Sequence, residues 1–258
     1  LEKLNNYQFT DGEWERFFQQ NIANANEGIK EKTRRIQDGD TAQAFKRDTG
    51  ESKNIRLLDK KCIHNNTLQV INQYTVSQAE GAAHDNRYDV TILVNGLPLV
   101  HVELKRRGVA IREAFNQINR YKRDSFWAGS GLFDYVQIFV ISNGTNTKYY
   151  SNTTRLGHIK DFNSSAARKR GKTSNSFEFT SFWADAKNRI IPDLMDFTKT
   201  FFAKATILNI LTKYCVFTSE ELLLVMRPYQ IVATERILNR IEIATNYKRY
   251  GTVQGGGY

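Results

Sequence analysis

The sequence predicts a mixed α/β (α+β) fold in which helices pack on a mixed β-sheet. Three observations predict it. Two β-rich runs flank Asn95-Gly96, a strong hairpin signal. A helical apolar stripe follows within residues 106–123, and a near-continuous apolar run, Tyr135 to Ser142, then suits a central strand. The order hairpin, helix, strand describes helices laid on a sheet.

The elements can be read in turn. Trp14, Phe17 and Phe18 fall at helical spacing behind a Thr10/Asp11 cap signal, so a helix is expected over Asp11 to Gln20. The polar, charged stretch from Asp38 to Lys53 reads as a mobile loop, and apolar-leaning segments follow at Ile55–Leu58 and Thr67–Tyr74. The helix expected over Arg106 to Arg123 is entered through Gly108. It buries Ile111, Ala114, Phe115, Ile118 and Tyr121 and turns Arg112, Asn116, Arg120, Lys122 and Arg123 largely outward. Asn143-Gly144 turns the central strand into a short one at Lys148–Tyr150. Ser151 to Ser176, rich in Ser, Asn, Arg and Lys, reads as an exposed basic loop, and helical patterns return at Pro192–Tyr214 and Pro228–Ile243. No internal repeat is visible.

Composition narrows the function. Lys and Arg number 37 against 27 Asp and Glu, a formal charge of +10 over 258 residues, which attracts polyanions such as nucleic acid. Cys62 and Cys215 stand apart from each other and from any zinc-type cluster, so they read as free thiols of a reducing, cytoplasmic protein. The four histidines lack ligand spacing, and no apolar run approaches membrane-spanning length. Gly171-Lys172-Thr173 imitates the end of a phosphate-binding loop, but Ala166 stands where a glycine is required. The chain opens on Leu1 and ends in Gln254-Gly-Gly-Gly-Tyr258, as expected of a piece of a longer protein.

The chemistry concentrates in the hairpin Arg87–Gly108. Side chains alternate along strands. Tyr88, Val90, Ile92 and Val94 should share one face, and Leu99, His101, Glu103 and Lys105 should share the polar one. Asp89 joins Glu103 and Lys105 only if one extra residue enters the hairpin. A strict two-residue Asn-Gly turn would pair Asp89 with Val102, whereas a three-residue or bulged turn through Leu97, with Gly96 at positive φ, pairs Asp89 with Glu103. Two carboxylates side by side repel unless a cation lies between them, and hard oxygen ligands with room for water suit Mg²⁺. Lys105 would orient a water or offset charge on a phosphorane. Gln117 and Tyr121, four apart, share one helix face beside this end. A plain alternative is a half-exposed hairpin whose polar residues have no chemistry.

Asp89, Glu103-Leu-Lys105 and Gln117-Ile-Asn-Arg-Tyr121 resemble the Asp, Glu-x-Lys and Gln-x-x-x-Tyr motifs of the RecB-like branch of PD-(D/E)xK nucleases. The longer run from Asn86 through Ile118, with Val140-Ile-Ser-Asn-Gly-Thr145 and Leu224-Val-Met-Arg-Pro-Tyr-Gln230, is similar to the R (motor and endonuclease) subunit of type I restriction enzymes. The resemblance implies a restriction-endonuclease-like core over residues 1–210, then the helical start of a superfamily 2 helicase over 211–258. It implies Asp89 and Glu103 as Mg²⁺ ligands, Lys105 as the catalytic lysine, and Gln117 and Tyr121 as support for the site or contacts to the DNA backbone. Arg112 and Arg120 would contact double-stranded DNA. In the full-length subunit Gln230 and Arg227 would meet the adenine of ATP, and methyltransferase and specificity subunits would be the partners. The family's acidic residue on an earlier helix would be Glu13 or Glu15. No ATP hydrolysis is expected of this stretch alone. A non-catalytic DNA-binding or assembly module and an independent repair-type nuclease are the competing readings.

Overall fold

In the computed structural model, residues 1–24, 26–39, 41–126, 128, 131–153 and 175–247 are described, without the side chains of 122, 123, 175, 176, 246 and 247. The Gly171–Thr173 lure, most of the expected basic loop and the glycine-rich end lie outside the described residues.

A seven-stranded mixed sheet organises the molecule. Its strands are β3 (Leu68–Val76), β4 (Asn86–Val94), β5 (Leu97–Leu104), β6 (Ile138–Ser142), β7 (Thr147–Ser151), β8 (Ser181–Ala184) and β9 (Ile190–Ile191), in that spatial order. Only β5 and β6 run parallel; the other neighbours are antiparallel. Between β5 and β6 the chain crosses over through helix α4 (Ile111–Asp124), with Ala114, Phe115, Ile118 and Tyr121 buried against Tyr88, Phe139, Ile141 and Tyr150. The opposite face carries Ile92, Val94, Val100, Val102, Ile138, Val140 and Tyr149 against helices that precede and follow the sheet. Those helices are α2 (Asp11–Phe17), α3 (Ile29–Gln37), α5 (Leu194–Phe201) and α6 (Lys204–Thr212). The mixed α/β expectation is met.

Thr10 caps α2 as expected: its Oγ1 accepts from Glu13 N and Glu13 Oε2 accepts from Thr10 N, both at 3.2 Å. That helix ends at Phe17 and passes into a π-helical turn, Phe18–Ile22. Several expectations are corrected. Much of the expected loop at 38–53 is the hairpin β1 (Ala42–Lys46) and β2 (Ser52–Arg56). Each strand offers one buried apolar residue, Phe45 or Ile55, too little for a periodic signal. The helix expected from Arg106 begins at Ile111, because Gly108 at φ 86 holds a loop before it. The Pro192–Tyr214 pattern is two helices, interrupted at Phe202–Ala203.

The C-terminal stretch adds the short hairpin β10 (Cys215–Phe217) and β11 (Leu223–Val225), then α7 (Pro228–Tyr247). Tyr149 Oη donates to Met226 O at 2.8 Å, and Cys215 and Val225 pack on the same core as α5 and α6. Ile237, Leu238 and Ile241 of α7 are exposed. Among the described residues, no helix is long and apolar enough to cross a membrane.

Candidate active site

Where the extra residue enters β4–β5 decides which side chains meet. Asn95 (φ 52) and Gly96 (φ 92) form a two-residue turn, and Val94 pairs with Leu97 and Leu93 with Pro98. The register then shifts, and Ile92 pairs with Val100. Leu99 is therefore the inserted residue, a bulge inside β5 and not a third turn residue. Gly96 has the expected positive φ, but the expected three-residue loop through Leu97 is corrected. The bulge has a second effect. Leu99 and Val100 both join the core on the side opposite α4, so Leu99 leaves the face of His101 and Glu103 on which it was expected.

Alternation breaks once more, at Asp89. Tyr88 packs on the α4 side while Val90, Ile92 and Val94 serve the other core, so Tyr88 does not share their face as expected. Regular β4–β5 pairing ends at Val90↔Val102, and the β3–β4 ladder passes from Asn72↔Val90 to Tyr74↔Tyr88, with Gln73 at φ 55. Beyond that point the Leu104 N–H donates to Asp89 Oδ2 at 2.8 Å. The carboxylate takes the place of a ladder carbonyl.

Asp89, Glu103 and Lys105 are brought together at this end. Lys105 Nζ donates to Glu103 Oε1 at 2.7 Å and to Leu104 O at 3.3 Å. Glu103 is 1% exposed, and among the described residues its Oε2 has no hydrogen-bond partner. Burial pushes the Asp89 carboxyl above the usual carboxylate range, the Leu104 N–H opposes this, and the charge of Glu103 adds to it. Both carboxylates thus keep unspent acceptor capacity at close quarters. That donor set fits a hard divalent cation, with the Leu104 carbonyl as a further oxygen. Among the described residues no group of three or more His, Cys, Asp or Glu could hold a metal, so the fit rests on two carboxylates, a carbonyl and water.

Gln117 and Tyr121 reach the same place from α4. Gln117 Nε2 donates to Tyr121 Oη at 2.5 Å, and Tyr121 Oη donates to Arg87 O at 3.1 Å. Burial first, and the charge of Glu103 second, push the phenol well above its ordinary range, so it remains a donor. Arg120 is exposed on α4. Arg112 is half-buried, its guanidinium 4.9 Å from the centre of the Phe177 ring, and so is not turned simply outward. Lys148 lies over the same ring at 4.9 Å and over Phe182 at 4.7 Å.

Glu13 and Glu15 do not join this group. Glu13 is consumed by Tyr7 Oη (2.7 Å), Thr10 N and Asp48 N (3.0 Å), the first of which leads in holding its pKa low. Glu15 is exposed and, among the described residues, its carboxylate receives only Gln19 Nε2 at 3.4 Å. Arg227 and Gln230 begin α7 elsewhere, where Gln230 Oε1 accepts from Arg227 N at 2.8 Å as an N-terminal cap. Reasoning from sequence passed over His101. It is fully buried behind Glu103, and a lone histidine within a strand gave no spacing signal.

Comparison with known proteins gives consistent results. Residues 1–158 match the family model described as "Type I restriction enzyme R protein N terminus". The chain is 52% identical over 242 residues to the "Type I restriction enzyme EcoprrI endonuclease subunit" of Escherichia coli, covering 94% of this chain and 71% of that protein. It is 36% identical over 246 residues to the SsaAORF53P endonuclease subunit of Staphylococcus saprophyticus, covering 95% of this chain but 23% of the relative. It is 38% identical over 197 residues to the SauMSSORF170P subunit of Staphylococcus aureus, of which it spans 18%.

Proposed function

This chain belongs to the family of type I restriction enzyme R protein N termini, and we propose that it is the Mg²⁺-dependent DNA-cleaving domain of such a subunit. One observation carries the reading. Glu103 is buried with one oxygen on Lys105 and the other unpartnered, beside an Asp89 whose ionisation burial and Glu103 both oppose. An unpartnered buried carboxylate oxygen costs on the order of 1–3 kcal/mol or more unless a ligand completes it.

Asp89, Glu103 and the Leu104 carbonyl would hold Mg²⁺, which when bound supplies Lewis acidity toward a phosphate oxygen and lowers the pKa of a water. The protein's own groups do the rest. Lys105, held by Glu103, places a cation where charge builds on the phosphorane and donates to the attacking water. Tyr121, fixed by Gln117 and by Arg87 O, braces the end of β4 against α4 and keeps Asp89 beside Glu103. Arg120, Arg112 and the basic surplus would contact the phosphates of double-stranded DNA and give salt-sensitive, sequence-independent affinity.

Coupling to ATP-driven translocation, with Gln230 and Arg227 at the adenine, belongs in this reading to the longer subunit. Residues 1–210 then form the nuclease and 211–258 the start of the motor. Methyltransferase and specificity subunits would be the partners, and this stretch alone would hydrolyse no ATP.

The test combines Mn²⁺ titration with Mg²⁺-dependent nicking of plasmid DNA. Asp89→Ala and Lys105→Ala should abolish nicking and leave DNA affinity within a fewfold, and Asp89→Ala should also lose Mn²⁺. Nicking unchanged in both variants rejects the site, whereas an unaltered chain that binds DNA but neither binds Mn²⁺ nor nicks favours a non-catalytic binding module.

A further inference from the structure

His101 and Glu103 confront each other with two buried, unpartnered atoms. His101 is 0% exposed and Glu103 1%; among the described residues His101 Nε2 and Glu103 Oε2 both lack a hydrogen bond. These two atoms lie 3.7 Å apart, too far for a hydrogen bond and too near for indifference. Five aromatic rings also stand around the imidazole. The rings of Tyr88, Phe126, Tyr121, Phe139 and Phe133 stand edge-on to it with centroids 5.7 to 6.4 Å away. Such a box excludes water and makes an idle ring nitrogen costly.

The two polar neighbours together favour one tautomer. His101 Nδ1 lies 3.3 Å from Thr91 Oγ1, and Thr91 is itself buried. If Nδ1 carried the proton, Nε2 would present a lone pair to a carboxylate oxygen, lone pair against negative charge. With the Thr91 hydroxyl donating to Nδ1, Nε2–H points at Glu103 Oε2. A shift of less than an ångström by the Glu103 carboxylate completes that bond.

We propose that His101 is a positioning residue. Its Nε2–H fixes the orientation in which Glu103 presents its carboxylate to a divalent cation, and Thr91 sets the tautomer. Outer contacts of this kind orient the ligating group, and losing one typically costs about 10–100-fold in metal affinity. The inference rests on the metal-binding reading of Asp89 and Glu103 given above, and it adds a residue two positions from Glu103 that touches neither metal nor DNA.

The test titrates Mn²⁺ alone into the chain, by calorimetry, beside thermal melts. Four variants are compared: Glu103→Gln, His101→Phe, His101→Gln and Thr91→Val. Phenylalanine keeps the aromatic box and removes the donor. It should melt within about 3 °C of the unchanged chain, or higher, yet bind Mn²⁺ roughly 10–100-fold more weakly. Glutamine, which restores an N–H, should recover most of that loss. Thr91→Val, close in shape, should weaken binding severalfold and serves as the measure if His101→Phe does not fold. Mn²⁺ affinity unchanged in both His101→Phe and Thr91→Val, while Glu103→Gln loses it, overturns the role of His101 alone. Glutamine as weak as phenylalanine overturns it too, since shape and not a donor would then matter. No difference between the unchanged chain and Glu103→Gln overturns the metal site and this inference with it.

Discussion

The two ends of the β4–β5 hairpin hold similar side chains in opposite states of completion. At the turn end, Asn95 Nδ2 donates to Leu57 O and to Asn66 Oδ1, while Asn95 Oδ1 accepts from Thr67 N at 2.8 Å. Asn66 Oδ1 accepts again from Asp59 N, and the Asp59 carboxylate takes Lys61 N, Cys62 N and Asn65 Nδ2. Every one of these acceptors is used. At the far end, Glu103 Oε2 and His101 Nε2 are buried without partners. Burial pushes both Asp59 and Asp89 upward. At Asp59 the Cys62, Asn65 and Lys61 donors outweigh it and hold the carboxyl low, whereas at Asp89 one backbone donor faces burial plus the charge of Glu103, and the carboxyl is raised. A polar knot that closes on itself stabilises the fold; one left open at a strand end is prepared for something absent.

Deleting Leu99 tests what the bulge contributes. A two-residue turn then runs into an unbroken ladder in which Ile92 still pairs with Val100 and Val90 with Val102, so Glu103 and Lys105 keep their face. What is lost is the Leu99 side chain from the core, at roughly 2–5 kcal/mol. The expected result is a clearly lowered melting temperature, with nicking per folded molecule retained because the open end stays together. A deletion variant that melts normally would refute the packing role given to Leu99.

Single substitutions should separate the two ends. Glu103→Gln is expected to lower nicking by about 10²–10³-fold, the scale of losing one charge-stabilising group, with melting unchanged or improved. Asn95→Ala should do the reverse. It removes a knot of buried bonds and puts a Cβ-bearing residue without a side-chain anchor at φ 52, for about 3 kcal/mol or roughly 6–12 °C of melting temperature. Activity per folded molecule should survive. If both variants lose stability equally, the open end is structural after all.

Acid titration of stability sharpens the same division with smaller effects. The raised Asp89 carboxyl contributes stability that is present below its unfolded value and lost as pH rises through its folded value. The lowered Asp59 carboxyl contributes stability present above its unfolded value and lost as pH falls through its folded value. Asp89→Asn should therefore raise the melting temperature at pH 7, with the gain shrinking as pH falls toward ~4. Asp59→Asn should lower it at pH 7, with the loss shrinking only below pH ~4. Melts of both variants between pH 3 and 8 check the two signs.

Much of the open end was legible because it is local. Glu103-Leu-Lys105 needs only strand alternation, and Gln117 and Tyr121 need only helical spacing. The need for an extra residue in the hairpin was legible too, since parity demands it. Its place was not. Leu97 and Leu99 are equally apolar, and only the burial of Leu99 together with Val100 in the core opposite α4 places the bulge within β5. The face of Tyr88 was illegible for a similar reason: its hydroxyl donates to Ser125 Oγ at 2.7 Å, a partner 37 residues away. The closed end spans Leu57 to Asn95, and no window of sequence contains it. Glu13 was a reasonable acidic candidate by type, but its neighbours Tyr7, Thr10 and Asp48 had already claimed it.

The smallest effect concerns how DNA would reach the open end. If that end receives a phosphate from outside, cations beside it should count in binding, and cations at the closed end should not. Arg120 is exposed on α4, on the helix that carries Gln117 and Tyr121. Arg56 belongs to the closed end, 3.9 Å from Asp59 Oδ2. Arg120→Ala should weaken duplex binding severalfold and reduce the slope of log affinity against log salt by about 0.9, the signature of one lost phosphate contact. Nicking at saturating DNA should be nearly unchanged, because the side chain positions the duplex and takes no part at the scissile bond. Arg56→Ala removes the same charge from the same +10 total, so a purely diffuse attraction would make the two variants equal. Equal slopes would therefore discard α4 as the contact surface while leaving Asp89, Glu103 and Lys105 untouched. A slope change confined to Arg120→Ala would place the duplex across α4, over the side of the sheet where Glu103 waits for its second partner.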